Sequence, residues 1–269
     1  MELKKRIMYD VLSENRIKSV IKTKLLGNKI YAFWSIGTTN DFAYQRAMQG
    51  EKEGTLVIAE KQERGRGRKG RLWDSQFGKG LWFSLILKPD LPSSYSGLIP
   101  YLAGVSVAQA VEKITELQPD LKWPNDLLLS GKKFCGMLSD VHFNDSNIAF
   151  IILGIGVNVN YNPHKWSEDI EKVATSLRIE SNKRINRAEL LAEILLALDQ
   201  NYEKFKLNGI AEILGQWKKR CPAFKKNITV VQENKKLTGL FYDLDEEGRL
   251  VLKSENGELS KIVTGDIVI

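Results

Sequence analysis

Histidine and cysteine are scarce in this sequence, with two residues of each among 269. The histidines, His142 and His164, are too few for a histidine-rich metal site and belong to no HExxH motif. A Gly-x-Ser-x-Gly nucleophile motif is also lacking. The cysteines, Cys135 and Cys221, form no Cys-x-x-Cys pair and predict no disulfide framework. This usage is typical of a reducing compartment, and we expect a cytoplasmic protein.

Long apolar runs are lacking as well. No run approaches the roughly 18 residues of a membrane-spanning helix, and the N-terminal stretch MELKKRIMYDV has no apolar signal-peptide core. The length and the 43% hydrophobic content suffice for one large core and a small second unit. The net charge of +7 favours anionic partners such as nucleotides, nucleic acids or acidic proteins, without choosing among them. We expect no association with a membrane.

Hydrophobic periodicity divides the chain into three parts, with boundaries at 1–27, 28–220 and 221–269. The first part is polar and lysine-rich and predicts one or two short helices. The second predicts strands at 29–35, 54–59, 81–87, 121–129, 132–140 and 147–160, and helices at 40–49, 97–117 and 187–207. The run IAFIILGIGVNVN is typical of a central strand buried on both faces. The third part has short alternating runs and an Asn256-Gly257 hairpin turn, which predict a small β-barrel.

The most informative segment is GRGRKGR at 65–71, within a basic loop predicted from 61 to 74. Its glycines allow the backbone to approach a ligand, and its arginines can bind phosphate or carboxylate oxygens in a bidentate fashion. A solvated basic loop is the alternative. A dinucleotide fingerprint is excluded because a strand, and no helix, follows the glycines. The ending Gly-Arg-Leu is not that of a Walker A loop, and the protein-kinase motifs HRD and DFG are absent.

Three further motifs carry polar residues at the ends of predicted strands. KWPND at 122–126 can aim a lysine and a carboxylate at one region, whereas the motif taken alone favours an ordinary Pro-Asn-Asp turn between strands. In GKKFCGML at 131–138, strand alternation predicts Lys133, Cys135 and Met137 on one face and Phe134, Gly136 and Leu138 on the other. A lysine there either meets an anion or extends to water. GIGVNVN at 154–160 offers either close approach of a ligand or close packing of strands.

The order and spacing of these motifs, together with GTTND at 37–41, resemble biotin–protein ligases from about residue 29 to the end. The resemblance implies an α+β fold, with a mixed β-sheet catalytic domain, packed helices and a small C-terminal SH3-like β-barrel. It also implies that ATP and biotin are the substrates, with Mg²⁺ on the phosphates. Biotin becomes biotinyl-5′-AMP, and an acceptor lysine then takes the biotinyl group. The implied partner is the biotin carboxyl carrier domain of a biotin-dependent carboxylase.

The resemblance implies roles for individual residues and identifies no metal ligands. The residues implied to bind biotin are Thr38, Thr39, Asn40, Gln62, Gly65, Arg66, Lys133, Gly136 and Leu138. Those implied to bind ATP or the adenylate are Arg66, Arg68, Arg71, Trp73, Lys133 and Asn158. The catalytic residues implied are Lys133, Arg68, Asp126 and Lys122, with Asp126 positioning or deprotonating the incoming lysine. Two residues depart from the family pattern: Thr38, where serine is more usual, and Gln76, where proline is common.

Two other functions compete with this interpretation. Lipoate–protein ligases share the fold and the chemistry, but their RRxSGGG motif is absent here. A basic nucleic-acid-binding protein would fit the charge, but its arginine–glycine motif would normally be repeated. A winged helix-turn-helix needs about sixty residues, and fewer than 30 precede the first predicted strand. We therefore expect a monofunctional ligase without specific DNA binding, and the choice between monomer and homodimer stays open.

Overall fold

The computed structural model describes residues 11–145, 147–162, 166–232 and 235–268. Its helices are α1 (Glu14–Lys18), α2 (Thr39–Met48), α3 (Ile99–Thr115), α4 (Glu168–Val173), α5 (Leu177–Ser181), α6 (Arg187–Asn208) and α7 (Ala211–Lys219). Its strands are β1 (Ile30–Phe33), β2 (Leu56–Ala59), β3 (Gly80–Leu87), β4 (Asp120–Lys122), β5 (Asp126–Leu129), β6 (Lys132–Asn144), β7 (Asn147–Asn158), β8 (Asn227–Gln232), β9 (Lys235–Leu244), β10 (Leu250–Lys253), β11 (Leu259–Ile262) and β12 (Asp266–Val268). Two short 3-10 helices span Arg68–Gly70 and Ser93–Leu98.

The larger sheet has seven strands in the order β1-β2-β3-β7-β6-β5-β4. The pair β1–β2 is parallel and the other neighbouring pairs are antiparallel, so the sheet is mixed, as predicted. Strand β7 lies at the centre between β3 and β6, and most of its residues are buried. The apolar run therefore forms the doubly covered strand that its sequence predicted.

Helices cover both faces of this sheet, because alternate residues of its strands point in opposite directions. Helix α2 packs Ala43 and Ala47 on one face, against a small cluster that includes Val57 and Ile152. Helices α3 and α6 pack together over the other face, where the main core lies. The helix predicted at 187–207 begins at its predicted first residue, where the Asn186 side chain caps it by accepting hydrogen bonds from the backbone N–H groups of Ala188 and Glu189.

The C-terminal sheet has five antiparallel strands in the order β11-β10-β9-β8-β12. Within the described residues no pairing joins β11 to β12, so the structure has a second antiparallel sheet and no closed barrel. This sheet packs on the larger unit through aromatic side chains. The ring of Trp217 on α7 lies 5.2 Å from that of Tyr101 on α3 and 6.5 Å from that of Phe241 on β9.

Several elements differ from their predicted extents. The strand predicted at 121–129 is two strands, because the Trp123-Pro124 turn separates β4 from β5. Helices α4, α5 and α7 were not predicted. The N-terminal part contains the five-residue helix α1, and residues 1–10 of the predicted segment lie outside the described residues. None of the helices in the described ranges has the length and apolar character that spanning a membrane requires.

Candidate active site

A cavity of about 330 Å³ opens on the face of the larger sheet that carries α2. Its walls come from β6 and β7, the start of α2, and the segment 60–79 between β2 and β3, here called the binding loop. The predicted site residues that line it are Thr38, Thr39, Asn40, Gln62, Arg66, Arg68, Arg71, Trp73, Asp126, Lys133, Gly136 and Leu138. The cavity therefore brings these residues together from distant parts of the sequence.

Glycines form the floor of the cavity and leave room for larger side chains. The indole of Trp73 lies over Gly136 and Gly156, and a Cβ atom added at Gly156 would be 2.7 Å from its Nε1 atom. Asn40 packs in the same way on Gly154, where an added Cβ atom would be 2.1 Å from its side-chain oxygen. The glycines of GIGVNVN thus serve close packing of side chains that line the cavity. No described group of the protein accepts a hydrogen bond from the buried indole N–H of Trp73.

One end of the cavity is polar and tightly hydrogen-bonded. Thr38 caps α2 by accepting a hydrogen bond from the backbone N–H of Asp41. The side-chain oxygen of Gln62 accepts from the Thr39 backbone N–H at 2.8 Å and lies 3.1 Å from the Thr39 hydroxyl, which also donates to it. The Ser84 hydroxyl lies 2.6 Å from the side-chain oxygen of Asn40. These groups offer fixed donors and acceptors to a small polar ligand group.

Lys133 reaches the cavity because of a β-bulge. Along β5 and β6, Leu127 pairs with Cys135 whereas the next residue, Leu128, pairs with Lys133. The extra residue reverses the alternation, so Lys133 faces the same side of the sheet as Gly136. The two are close, because a Cβ atom added at Gly136 would lie 2.9 Å from Cε of Lys133. The prediction that Lys133 and Cys135 share a face is therefore wrong. Cys135 lies in the core, where burial raises the pKa of its thiol.

The ammonium group of Lys133 pairs with the carboxylate of Asp126 at 2.6 Å and lies 5.0 Å from the centre of the Trp73 ring. Both members of the ion pair are partly exposed, at 32% and 25% of the side chain. The register of β4 and β5 sets Lys122 opposite Asp126. Lys122 itself does not line the cavity. An anionic ligand would therefore meet Lys133 and would compete with Asp126 for it.

The arginines of the GRGRKGR segment contact polar side chains from several parts of the chain. Arg66 lies 2.6 Å from Asp41 and 3.5 Å from Asp140. Arg68 donates to the side-chain oxygen of Asn125 at 3.2 Å and to the hydroxyl of Thr264, between β11 and β12, at 2.8 Å. The basic segment therefore borders the cavity with both arginines already bound to polar side chains of the protein.

Asp266 on β12 binds the remaining cations of this segment, Lys69 at 3.0 Å and Arg71 at 3.3 Å. Burial alone would raise the pKa of Asp266. The hydrogen bond from Lys69 and the nearby positive charges outweigh that effect, so the pKa lies below its usual range. Asp266 is therefore ionised at neutral pH and holds the loop against the C-terminal sheet.

Three predicted site residues do not line the cavity. Asn158, expected to bond the adenine, is buried and donates its amide to the Thr175 carbonyl at 3.1 Å. Gly65 has a packing role instead, because an added Cβ atom would be 2.4 Å from the Trp73 carbonyl oxygen. Lys122 is the third.

Other residues at the site were not predicted. Asp41 and Asn125 lie within the quoted motifs GTTND and KWPND, so attention to their polar side chains could have found them. Asp140, Thr264 and Asp266 belong to no motif and reach the site through the tertiary fold. Among the described residues, no group of three or more histidine, cysteine, aspartate or glutamate side chains is arranged to hold a metal ion.

Comparisons with known proteins identify the family of this chain. Residues 33–158 match the biotin/lipoate A/B protein ligase family, and residues 226–269 match the biotin protein ligase C-terminal domain. The bifunctional ligase/repressor BirA of Bacillus subtilis is 35% identical over 95% of this chain and 78% of its own length. A biotin protein ligase from Aquifex aeolicus, solved in complex with biotin and ATP, is 30% identical, with a TM-score of 0.76 over 90% of this chain and 98% of that chain.

The chain therefore belongs to the biotin/lipoate A/B protein ligase family. Within that family its relatives and its C-terminal match are those of the biotin protein ligases, which are enzymes. A biotin–[acetyl-CoA-carboxylase] ligase of Mycobacterium tuberculosis is a further relative, 29% identical over 86% of this chain and 85% of its own length. The C-terminal match favours biotin over lipoate as the substrate.

Proposed function

We propose that this biotin ligase uses ATP to convert biotin to biotinyl-5′-AMP, with release of pyrophosphate, beside the cation of Lys133. It then transfers the biotinyl group to a lysine of a biotin carboxyl carrier domain. Activation of biotin and its transfer to protein are the activity of the biotin protein ligases, which this chain matches within its family. The observation that carries the assignment of roles is the position of Lys133. It is a partly buried cation between the polar end of the cavity and the arginines of the binding loop.

The cavity suits biotin in shape and in polarity. Thr38, Thr39, Asn40 and Gln62 supply donors and acceptors for the ureido ring at the polar end. Gly136 and Leu138 line the path of the aliphatic chain towards Lys133. The biotin carboxylate then meets a fixed cation, which offsets the loss of its hydration.

Adenylation needs positive charge at the α-phosphate. A carboxylate oxygen of biotin forms a bond to the phosphorus, and the bond from that phosphorus to the pyrophosphate breaks. Negative charge accumulates on the phosphate oxygens, so Lys133, Arg66, Arg68 and Arg71 act by electrostatic stabilisation. Trp73 packs on the adenine, and the role of Asn158 is to fix the backbone beside it through the Thr175 carbonyl.

The transfer step uses the carboxylate of Asp126, which is paired with Lys133 in the ligand-free structure. When Lys133 binds the substrate anions, Asp126 loses its partner at 2.6 Å and becomes available to a second ammonium group, that of the acceptor lysine. Asp126 accepts a proton from that lysine or positions it, and Lys122 lies opposite in the register. The amine attacks the acyl carbon, the bond to the phosphate oxygen breaks, and AMP leaves.

We also propose that Mg²⁺ accompanies ATP. Mg²⁺ in nucleotide sites is usually held by substrate phosphates, water and one or two carboxylates. Asp126 and Asp266 are the carboxylates that line the cavity, so they fit that donor set, and the bound ion would neutralise phosphate charge.

The chain is further proposed to act in the cytoplasm without specific DNA binding, as a monomer or homodimer. The proposed division is a short N-terminal helical segment at 1–27, a biotin- and ATP-binding catalytic domain at 28–220 and an SH3-like C-terminal unit at 221–269.

Incubation with biotin, ATP and Mg²⁺, followed by mass spectrometry, tests the first step. We expect biotinyl-5′-AMP and pyrophosphate, and no adenylate in a parallel reaction with lipoate. Addition of a carrier domain should give a mass increase on one lysine, and its Lys→Arg variant is the matched control. Formation of a lipoyl adenylate without a biotinyl adenylate would reject the proposal.

A further inference from the structure

A buried ion pair lies at the base of the binding loop. The side chains of Arg187 and Glu60 are each 2% exposed, and Nη1 of Arg187 donates to the carboxylate at 2.8 Å. Nη2 donates to the other carboxylate oxygen at 3.2 Å, and Nη1 also donates to the carbonyl oxygen of Gly80 at 3.1 Å. Glu60 directly follows β2 and Gly80 begins β3. One guanidinium group therefore holds both ends of the binding loop.

The position of Arg187 is not explained by the helix to which it belongs. It is the first residue of α6, where the positive end of the helix dipole disfavours a cation. Its burial adds the cost of removing a charge from water. The carboxylate of Glu60 offsets both costs. The burial of Arg187 at this position is therefore explained by the groups that it joins.

The ion pair is connected to the polar end of the cavity through a short stretch of chain. Glu60 lies two residues before Gln62, whose side-chain oxygen accepts the hydrogen bond from the Thr39 backbone at 2.8 Å. The other carboxylate contact of Glu60 is the backbone N–H of Leu12 at 2.7 Å, so the N-terminal segment meets the loop at the same point. Lys133 and Asp126 belong instead to β6 and β5, on the opposite side of the cavity.

We propose that the Arg187–Glu60 pair is a positioning device for the binding loop. It ties the two ends of the loop together and thereby sets Gln62 against Thr39 before substrate binds. Arg187 is a positioning residue, since it acts through Glu60 and Gly80 rather than on the reacting atoms. The proposal rests on the proposed function in naming biotin as the ligand whose binding depends on this geometry.

Arg187→Lys tests the proposal with little change in volume or charge. Lysine keeps the cation but lacks the planar fork, so it cannot hold both carboxylate oxygens and the Gly80 carbonyl together. The matched control is Arg220→Lys. Arg220 makes a similar two-point pair with Glu112, at 3.0 Å for each contact, but it joins the residue after α7 to α3, away from the loop.

The expected result is a split between binding and chemistry. In Arg187→Lys, KM for biotin should rise about tenfold while kcat for adenylate formation stays within about twofold, because binding is lost and the groups around the phosphate are intact. Hydrogen exchange of residues 61–79 should also be faster in the ligand-free variant. Arg220→Lys should match the wild type in both measurements.

A merely structural role would give a different pattern. If Arg187→Lys lowers Tm but leaves the KM for biotin and the loop exchange as in the wild type, the positioning role is rejected. If that variant does not fold, Glu60→Gln is measured in the same way, because glutamine keeps an oxygen for the Leu12 N–H. Should the wild type form no biotinyl-AMP, the proposed function fails, whereas exchange in the ligand-free variants still decides the role of the pair.

Discussion

Lys133 is the residue on which the proposed chemistry depends most. Replacing it by alanine removes the cation that we propose lies nearest to the forming bond, and the loss of one such group typically costs about 2.7 to 4 kcal/mol of transition-state stabilisation. We expect biotin-dependent exchange of pyrophosphate into ATP to fall by about two to three orders of magnitude. The circular dichroism spectrum should stay unchanged.

A complication in Lys133→Ala is that Asp126 loses its partner at 2.6 Å. The double variant Lys133→Ala/Asp126→Asn separates the two effects, because it removes the unpaired carboxylate as well. Exchange should remain as low in the double variant as in the single one. Recovery of exchange in the double variant would mean that charge repulsion by Asp126, and not the loss of Lys133, slowed the reaction.

Gly156 tests the contribution of Trp73. An added methyl group there would be 2.7 Å from the indole Nε1 atom, and the rigid ring can only move away. We expect Gly156→Ala to raise the KM for ATP about tenfold or more, equivalent to about 1.4 kcal/mol, with a smaller change for biotin. Gly215→Ala on α7 is the control, because an added Cβ atom there meets no atom within 4 Å. Equal ATP binding in both variants would contradict the assigned role of Trp73.

For individual residues, the sequence identified which residues lie at the site better than it identified the face of the sheet on which each side chain lies. The motifs contained Lys133, Asp126 and the loop arginines, because charge and glycine content are visible in a linear pattern, whereas Trp73 came only from the family resemblance. The face of Lys133 was predicted wrongly, since one bulge residue reverses the alternation and nothing in GKKFCGML marks it. The partners of the loop cations in the C-terminal unit, Thr264 and Asp266, are 195 to 197 residues away along the chain, so no local pattern predicts them.

Among the individual elements, the edge strand β1 is tied to the end of α2 by a charged network around Glu51. Lys29 lies 2.8 Å from its carboxylate and the Tyr31 hydroxyl donates to it at 2.7 Å. The hydrogen bond from Lys29, followed by that from Tyr31, lowers the pKa of Glu51 to about 2. A lowered pKa in the folded state stabilises the protein above the pKa of the unfolded chain, which is about 4.3 for glutamate.

This stabilisation should be lost as the pH falls through about 2. Glu51→Gln should therefore reduce the free energy of unfolding by about 1 to 2 kcal/mol at pH 7 and by progressively less below pH 4. Urea denaturation at several pH values measures the difference, and Glu255→Gln, at an exposed carboxylate, is the control. A difference between Glu51→Gln and the wild type that does not vary with pH would contradict the assignment.

The elements with strong periodicity were predicted within a few residues, whereas short ones were missed. Helices α4 and α5 have six and five residues, too few to show a helical period. The break between β4 and β5 falls within an apolar pattern that continues on both sides, so periodicity joined the two strands. The closed barrel expected for the C-terminal part depends on how its edge strands meet, and strand patterns do not determine that pairing.

In the molecule as a whole, packed aromatic side chains, and not a flexible linker, hold the two sheets together. Trp217 is 2% exposed, and its ring lies between those of Tyr101 and Phe241. Removal of such a buried aromatic side chain typically costs about 3 to 5 kcal/mol. We expect Trp217→Ala to lower Tm for both units together, in one calorimetric transition.

Trp34 provides the matched control, because it is the same residue type at 63% exposure. Trp34→Ala should change the free energy of unfolding by less than about 1 kcal/mol. Two separate transitions in the wild type, with only the lower one shifted in Trp217→Ala, would show that the C-terminal sheet unfolds independently.

The clamped ends of the binding loop also bear on what happens when the chain is cut. Trypsin cleaves after lysine and arginine, and the exposed tip of this loop is rich in both. A nick after Arg68 would leave two fragments still joined by the β2–β3 ladder and by the contacts of Arg187 with both strand ends. The nicked protein should elute from a sizing column as one particle and separate into two bands only in detergent. Cleavage should slow as ligand fills the cavity, so the rate of digestion by trypsin would report the fraction of protein that has ligand bound.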